Sequence, residues 1–450
     1  MRLRRIGLVV TLALGVLAAP LAAKRATNTI PIVMTNAGDP VGSGLVTSLG
    51  RPGGNVTGLS LLAPAVVGKQ LELLKEVVLK VNRVAVLTNP GSPTRALMLT
   101  EAEAAMRPLG LRFQILDARG PGEFEAAFSA MTIGGGIGHL TRKCGLSIDN
   151  LLSVDMVLAD GRFVTASAEE NEVLFWAVRG GGGNFGAVTS FLFRLHPIKT
   201  IIGGPTLWTL EQAADVMKWY REFITTAPDD LNGFFAFLTV PPAPPFPENL
   251  HLKKMCGVVW CYTGPEKEAE RVFKPIREFG PPALYGIHAM PHPMLQSAFD
   301  ALYPPGLQWY WRADFVKELS DEAIALHVKH GSDVPTMHSA MHLYPINGGA
   351  QRVGKTETPW SYRDATWAEV IVGVDPDPAN TKRITEWSKT YWDALHPYSA
   401  GGAYANFMMD EGEERIKATY RDNYPRLASL KKKYDPTNLF RVNQNIKPAA

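Results

Sequence analysis

Two glycine clusters, Gly134-Gly135-Gly136-Ile137-Gly138 and Gly180-Gly181-Gly182-Gly183-Asn184-Phe185-Gly186, are the residues whose spacing points most directly to chemistry. Glycine lacks a Cβ, so backbone N–H groups at such a loop can approach a flat or anionic ligand closely. Between the clusters, Gly145 to Arg162 runs through Asp149-Asn150 and Asp155 and reads as a turn followed by strands. Two glycine loops flanking short strands predict a large cofactor lying against the backbone. Gly181, Gly183 and Gly186 also spell G-x-G-x-x-G, but a dinucleotide turn of that type must open a helix whose N-terminus meets the pyrophosphate. Here Ala187 to Leu195 is β-branched and aromatic and ends at His196-Pro197, so a strand is expected and the Rossmann reading fails.

Other chemistry-bearing groups read more plainly. Histidines pair at short spacing as His288 with His292, His327 with His330, and His338 with His342. The last pair could share a helical face as zinc ligands do. Its neighbours Leu343-Tyr344-Pro345 are strand-like, however, and no glutamate lies between the two, so no metal is assigned. Three cysteines, Cys144, Cys256 and Cys261, cannot make a disulfide framework. Cys256 and Cys261 stand five apart in a strand-like stretch and point to opposite faces, as buried free thiols. Lys431-Lys432-Lys433 reads as a solvated helix end.

The elements that must position these groups fall into two sets. Thr29 to Thr35, Asn55 to Leu61, Arg83 to Thr88 and Leu111 to Leu116 read as strands. Helices are expected at Asp39 to Leu49, Gly68 to Val78, from Asn89-Pro90 to Leu109, and at Pro121 to Ala130. Repeated β-α units argue for an α/β fragment with a doubly wound parallel sheet. Beyond Thr200, helices at Glu211 to Thr225 and Glu266 to Phe279 alternate with strands at Leu231 to Val240 and Leu252 to Tyr262. Pro241 to Pro247 is a loop, and Leu307 to Arg312, Met341 to Pro345 and Thr366 to Val374 are further strands, the first two rich in aromatics. An aromatic sheet face of that kind could cover a flat ring and a planar substrate.

At 450 residues, 46% hydrophobic and 20% charged, the chain has the composition of an ordinary globular protein of two or three domains. A net charge of +3 with no basic run interleaved with aromatics gives no reason to invoke nucleic acid. Arg2, Arg4 and Arg5 precede an apolar run from Ile6 to Ala19 and small residues to Ala23. The run has the length of a signal-peptide core and falls short of a bilayer span, so export is expected, periplasmic if the signal is used and cytoplasmic otherwise, with no stable membrane anchor. No His, Cys, Trp or Tyr occurs before His139, and the Trp and Tyr residues all come at Trp176 or later. That break predicts a junction of two histories at Ala130–Met131.

Two resemblances follow from these stretches. Thr132 to Gly145, Asp149 to Asp155, Phe175 to Gly186, Tyr404-Ala405-Asn406-Phe407 and Tyr434 to Ile446 resemble the berberine-bridge-enzyme-like FAD-linked oxidases, over about 131–448. Asp39 to Val46, Arg51 to Ser60 and Arg83 to Pro90 resemble the ABC-transporter substrate-binding proteins, over about 28–130. The first resemblance implies an α+β FAD-linked-oxidase fold, a substrate domain built on an antiparallel sheet, and oxidation of an alcohol, sugar or amine of a small molecule by hydride transfer to FAD. It places Gly134, Gly135, Gly136, Gly138, Asn150, Gly183, Asn184, Gly186, Val188, Asn443 and Asn445 at the flavin, and Tyr404 with Asn406 at the reacting centre. Tyr404 would serve as general base if its pKa were lowered from about 10.

The departures from that family set the expected organisation: signal peptide 1–23, partial solute-binding-like domain 24–130, second half of the flavin domain 131–199, substrate domain 200–399 and a C-terminal return at 400–450. The N-terminal flavin subdomain, with its pyrophosphate loop and flavin-linking histidine, has no counterpart upstream, since His139 is the first histidine. FAD, if held, is therefore expected to bind non-covalently. Three readings stay open at this point: an FAD-dependent oxidoreductase, active or crippled; an exported solute-binding module; and a spliced reading frame without activity.

Overall fold

The computed structural model describes residues 32–38, 46–48, 54, 56–61, 83–88, 103–105, 108, 112–117, 131–441 and 444–449. The chain divides into two units, Met1–Glu125 and Ala126–Ala450. In the first, β1 (Ile32–Gly38) pairs in parallel with β2 (Val56–Leu61), and β3 (Arg83–Thr88) with β4 (Arg112–Asp117). These make two separate two-stranded sheets. Most of the expected helices there lie outside the described residues. The helix expected at Asp39 to Leu49 does not include Val46–Ser48, which are not helical. β-branched Val46 and Thr47, following Gly42 and Gly44, supply little helix propensity.

In the second unit the chain enters through a helical turn, Met131–Gly134, and a short α1 (Thr141–Cys144). An antiparallel sheet follows, formed by β5 (Leu151–Val157), β6 (Phe163–Ser167) and β7 (Ala187–Phe193) with β5 in the middle. α2 (Glu172–Val178) lies between β6 and β7 in the chain and buries Leu174 to Val178. β7 follows the second glycine cluster directly, so that cluster opens a strand and not a helix.

An eight-stranded antiparallel sheet makes up most of the remainder, in the order β11-β8-β10-β9-β14-β15-β13 with β12 also paired to β8. Its strands are β8 (Thr200–Trp208), β9 (Leu231–Thr239), β10 (Lys254–Tyr262), β11 (Leu284–Tyr285), β12 (His288–Pro291), β13 (Gln308–Val316), β14 (Ala340–Pro345) and β15 (Trp367–Asp375). One face packs on α3 (Ala213–Thr226), α4 (Glu266–Glu278), α5 (Asp321–Gly331) and α6 (Thr381–Leu395). α3 presents Val216, Met217, Tyr220 and Ile224, spaced at three to four residues, which is what carries a helix onto a sheet.

Strand alternation then fixes the other face. Phe235, Phe237, Met341 and Leu343 lie in the helix-side core. Their neighbours Phe234, His342 and Tyr344 therefore look the opposite way. Further along the same side, Ala313, Ala340, Val370 and Val372 share a second core with β5 and α2, and with α7 (Glu413–Tyr420) and α8 (Tyr424–Tyr434) from the C-terminal return. A smaller third core, including Leu146, Ile148, Phe315, Trp360, Tyr362 and Tyr404, fills the seam.

Candidate active site

The first glycine cluster lies in this seam. A Cβ on Gly134 would run into Asn406 Oδ1, and one on Gly135 into the Trp360 ring, so the loop is glycine-rich because side chains of the C-terminal return and of the segment after β14 press on it. Gly136 N–H donates to the Tyr404 hydroxyl at 2.8 Å, and Asn406 Nδ2 donates to the same oxygen at 2.6 Å. The sequence thus brings Gly134, Gly135, Gly136, Tyr404 and Asn406 together across 268 residues of chain. Tyr404 is 3% exposed, and burial pushes its pKa up to about 12, although the Gly136 and Ile137 amides and Asn406 pull the other way. An easy general-base role would need a lowered pKa; instead, desolvation outweighs the donors. Gly138 N–H is taken by Thr141 Oγ1 at 2.8 Å, and its carbonyl accepts from Asn232 Nδ2 at 3.0 Å. The Gly135, Gly136 and Gly138 amides all face protein partners and none is aimed outward at an anion.

Two buried arginines hold this loop in place. Arg363 grips Asp149 through both carboxylate oxygens at 2.7 and 2.8 Å, while Asp149 also accepts from Leu146 N–H at 2.9 Å. Arg142, 1% exposed, donates to the carbonyls of Ala227, Pro228 and Leu231 beyond the C-terminus of α3, and to Asn347 Oδ1 at 2.8 Å. Carbonyls just past a helix C-terminus give a buried guanidinium its hydrogen bonds at the negative end of the helix dipole. Asn150 belongs to the same knot. Its Nδ2 donates to the Cys144 and Leu146 carbonyls and its Oδ1 accepts from His196 Nε2 at 2.6 Å, so its amide secures the turn rather than an external ligand.

The second glycine cluster has a different task. Asn184 is fully buried; its Oδ1 accepts from Ile446 N–H at 3.0 Å and its Nδ2 donates to the Gly181 and Gln444 carbonyls. The expectation that Asn184 faces the flavin gives way to this packing, since the whole amide is engaged by protein. Lys431 Nζ donates to the Asn184 carbonyl at 2.7 Å and to Asp435 at 2.6 Å, with both side chains fully buried. That corrects the reading of Lys431 as solvated; Lys432 and Lys433 are the exposed members of the triplet. Gly186 packs against the Val157 carbonyl, Gly183 keeps φ −75°, which any residue adopts, and Val188 pairs with Met156 across the β5–β7 ladder. Asn443 lies outside the described residues. Asn445 Oδ1, by contrast, is buried without a hydrogen-bond partner.

A third group went unread as a site in the sequence. On the face of the sheet turned away from the helices, the buried Phe234 has its ring centroid 6.0 Å from that of His139, 5.2 Å from His342, 5.0 Å from Tyr344 and 6.1 Å from Phe299. Tyr344 meets Phe407 at 5.6 Å, and Phe407 meets Tyr404 at 4.8 Å, so this wall runs into the glycine loop without a break. Tyr344 Oη and His342 Nδ1 are 2.8 Å apart. Burial pushes His342 down to about 4 and raises Tyr344, which leaves both neutral near pH 7. Burial and the neighbouring His292 push His139 to about 4 as well. Alternation on β9 and β14 was the signal that could have found this wall. A cleft of about 500 Å³ lined by Asp215, Lys218, Trp219, Glu222 and Phe279 lies on the helix side of the sheet, away from the wall.

Seam, wall and sheet define a class, and comparison with known proteins agrees. Residues 403–447 match the family model described as berberine and berberine like, and residues 4–135 match that of ABC transporter substrate binding proteins. An FAD-linked oxidoreductase of Dictyostelium discoideum is 29% identical over 322 residues, covering 71% of this chain and 68% of the relative. The FAD-linked oxidoreductase YvdP of Bacillus subtilis is 30% identical over 340 residues, covering 71% and 70%. Among solved structures, wild-type BBE-like 1 of Physcomitrella patens shares the fold at a TM-score of 0.62 and 19% identity, over 86% of this chain and 90% of that one. 6-Hydroxy-D-nicotine oxidase of Arthrobacter nicotinovorans does so at 0.61 and 22%, over 72% and 71%. Over its C-terminal two thirds the chain belongs to the berberine-bridge-enzyme-like FAD-linked oxidoreductases.

That family implies a flavin. The buried Asn445 Oδ1, an acceptor with no donor, is a group that a flavin ring N–H would satisfy.

Proposed function

We propose that this chain is an FAD-dependent oxidoreductase acting on a small molecule held between the glycine-loop seam and the aromatic wall of the sheet. The single observation carrying this reading is the continuous run from Phe234 through Tyr344 and Phe407 to Tyr404, which ends on Gly136. When bound, the flavin supplies the hydride acceptor. The chain's own residues then have three tasks. Asn445 would hold the ring, Tyr404 would take the proton from substrate O–H or N–H, and the wall would exclude water from the reacting carbon. Burial holds the Tyr404 pKa up at about 12 although two donors reach its oxygen, so the phenolate is scarce at neutral pH but strongly basic.

Binding without a covalent link belongs to the same proposal, as does export directed by Arg2, Arg4, Arg5 and the Ile6–Ala19 run. The test is purification with added FAD, an absorbance spectrum, denaturation to see whether the flavin leaves with the solvent, and anaerobic reduction by a panel of alcohols, sugars and amines. A colourless protein that no panel member stabilises would return the chain to the spliced-frame reading. Thermal stabilisation by a solute without flavin would favour the solute-binding module to which residues 4–135 are similar.

A further inference from the structure

Independently of the flavin, we propose that Lys317, Lys355 and Arg421, gathered on the carboxylate of Asp364, form a binding site for a small dianion of the phosphate type. Lys317 Nζ lies 2.7 Å and Lys355 Nζ 3.1 Å from Asp364 Oδ2, and Arg421 Nη1 donates to Oδ1 at 3.1 Å. Three positive charges thus meet one negative charge at a single carboxylate. Burial works to raise this carboxyl, but the hydrogen bonds from Lys317, Lys355 and Arg421 hold it well below the usual carboxylate range, so it stays ionised. Among the described residues no second carboxylate pairs with these three cations, and Asp364 is the only polar partner of either ammonium. Each ammonium carries three N–H donors, and the two lysine side chains are 48% and 58% exposed, so donors remain open to a solute. A phosphate-type dianion supplies the missing negative charge and several acceptor oxygens at once.

The cluster is built, because the backbone of each lysine is pinned by a segment that carries one of the other members. Thr366 Oγ1, two residues beyond Asp364, donates to the Lys317 carbonyl at 2.8 Å. Asn423 Nδ2, two residues beyond Arg421, is buried and donates to the Lys355 carbonyl at 2.8 Å. Arg421 itself takes φ +45° and ψ −129°, a strained backbone for a residue with a side chain. Its guanidinium lies 3.4 Å over the Tyr362 ring, which fixes the plane of the fork while Nη1 reaches Asp364. Glu357, two residues from Lys355, is turned instead to the Gly354 N–H at 2.8 Å. A surface ion pair needs one cation; the second and third add like-charge repulsion, which a bound dianion removes.

The experiment uses the full chain, purified with and without added FAD, and titrates it by calorimetry at constant ionic strength and about pH 8, where phosphate is a dianion. Inorganic phosphate, sulfate and phenyl phosphate are expected to bind at least about tenfold more tightly than acetate. Phenyl phosphate binding more tightly than phosphate assigns the site to the phosphate end of an organic molecule; phosphate binding as tightly or more so assigns it to the free anion. Lys317→Met and Lys355→Met, both at exposed side chains, should each weaken phosphate by about fivefold or more, whereas Lys382→Met, 86% exposed on α6, should not. Asp364→Asn removes the competing carboxylate and should tighten phosphate by about threefold or more, which a purely structural ion-pair cluster would not do. Should that variant fail to fold, the two lysine variants decide. Dianions bound no more tightly than acetate overturn the proposal, as does a folded Asp364→Asn chain that binds phosphate more weakly, or an equal loss from Lys382→Met and Lys317→Met. Phosphate that displaces FAD would put the anion in the cofactor's own site and overturn it too. A colourless chain that binds phosphate sinks the flavin reading alone; retained FAD without dianion binding sinks this inference alone.

Discussion

Gly135 has φ +142°, and the space a Cβ would need is filled by Trp360, whereas nothing stands within 4 Å of a Cβ on Gly138. Gly135→Ala should therefore cost about 2–4 kcal/mol through backbone strain and overpacking, and Gly138→Ala less than about 0.5 kcal/mol, read from denaturant midpoints. Equal effects would show that the loop does not press on Trp360. Tyr404 allows a second prediction. A base must be deprotonated to act, and burial pushes this phenol up to about 12, so anaerobic flavin reduction should accelerate with pH through the neutral and alkaline range. Tyr404→Phe should abolish that rise and lower the rate by about 10²–10⁴-fold, measured by stopped flow. At this scale the motifs were legible but their partners were not. Tyr404, Asn406, Asn150 and Asn184 all stand out in the sequence, yet only folding decides that Asn184 meets Ile446 and Asn150 meets His196. An amide looks the same in sequence whether it will face a cofactor or a carbonyl.

Among elements, the strands of the large sheet were mostly legible because β-branched and aromatic runs bounded by turns are a local signal; β9, β10, β14 and β15 fall within two residues of their expected limits. The short β11 and β12 carry too few residues to show a period. α8 illustrates how charge misleads. A lysine triplet reads as solvent, but the i,i+4 spacing from Lys431 to Asp435 marks the one member that turns inward, where it also meets the carbonyls of Asn184 and Phe440. That contact fastens the C-terminal return to the second glycine cluster. Lys431→Met would leave Asp435 buried without its cation, held only by the Leu439 and Phe440 N–H groups, so a loss of about 3–5 kcal/mol is expected, together with faster amide exchange along 436–441 and 444–449. Lys432→Met, one residue along and exposed, should change stability by less than about 0.5 kcal/mol. Comparable losses for both would mean the triplet acts through net charge and not through the buried pair.

Taken whole, the second unit places uncharged imidazoles in its interior, and that choice carries a pH signature. Burial pushes His139 and His342 to about 4 and His327 to about 3, all below the ordinary 6.5. As pH falls from 6.5 towards 4, the unfolded chain takes up protons on these rings and the folded one does not. The unfolded state thus binds more protons, and stability, fully present above pH 6.5, is lost across that window at about 1.4 kcal/mol per pH unit for each proton of difference. Glu369 works against this. Buried on β15 opposite Asp314, it has a pKa raised well above 4.5 by burial first and by Asp314 second, so the folded state takes its proton earlier and gains stability as pH falls. One acid opposes three imidazoles, and a net loss of several kcal/mol is expected between pH 6.5 and 4. Glu369→Gln removes the opposing proton, so its stability should fall more steeply with acid than that of the parent, while His342→Gln should flatten the curve. Denaturant unfolding of each variant at half-unit steps from pH 7.5 to 4 measures the slopes. A parent slope of zero or of opposite sign, or a Glu369→Gln slope no steeper than the parent's, would show that the buried histidines are not held neutral by the fold, and with that the uncharged character of the wall around Phe234 would fall as well.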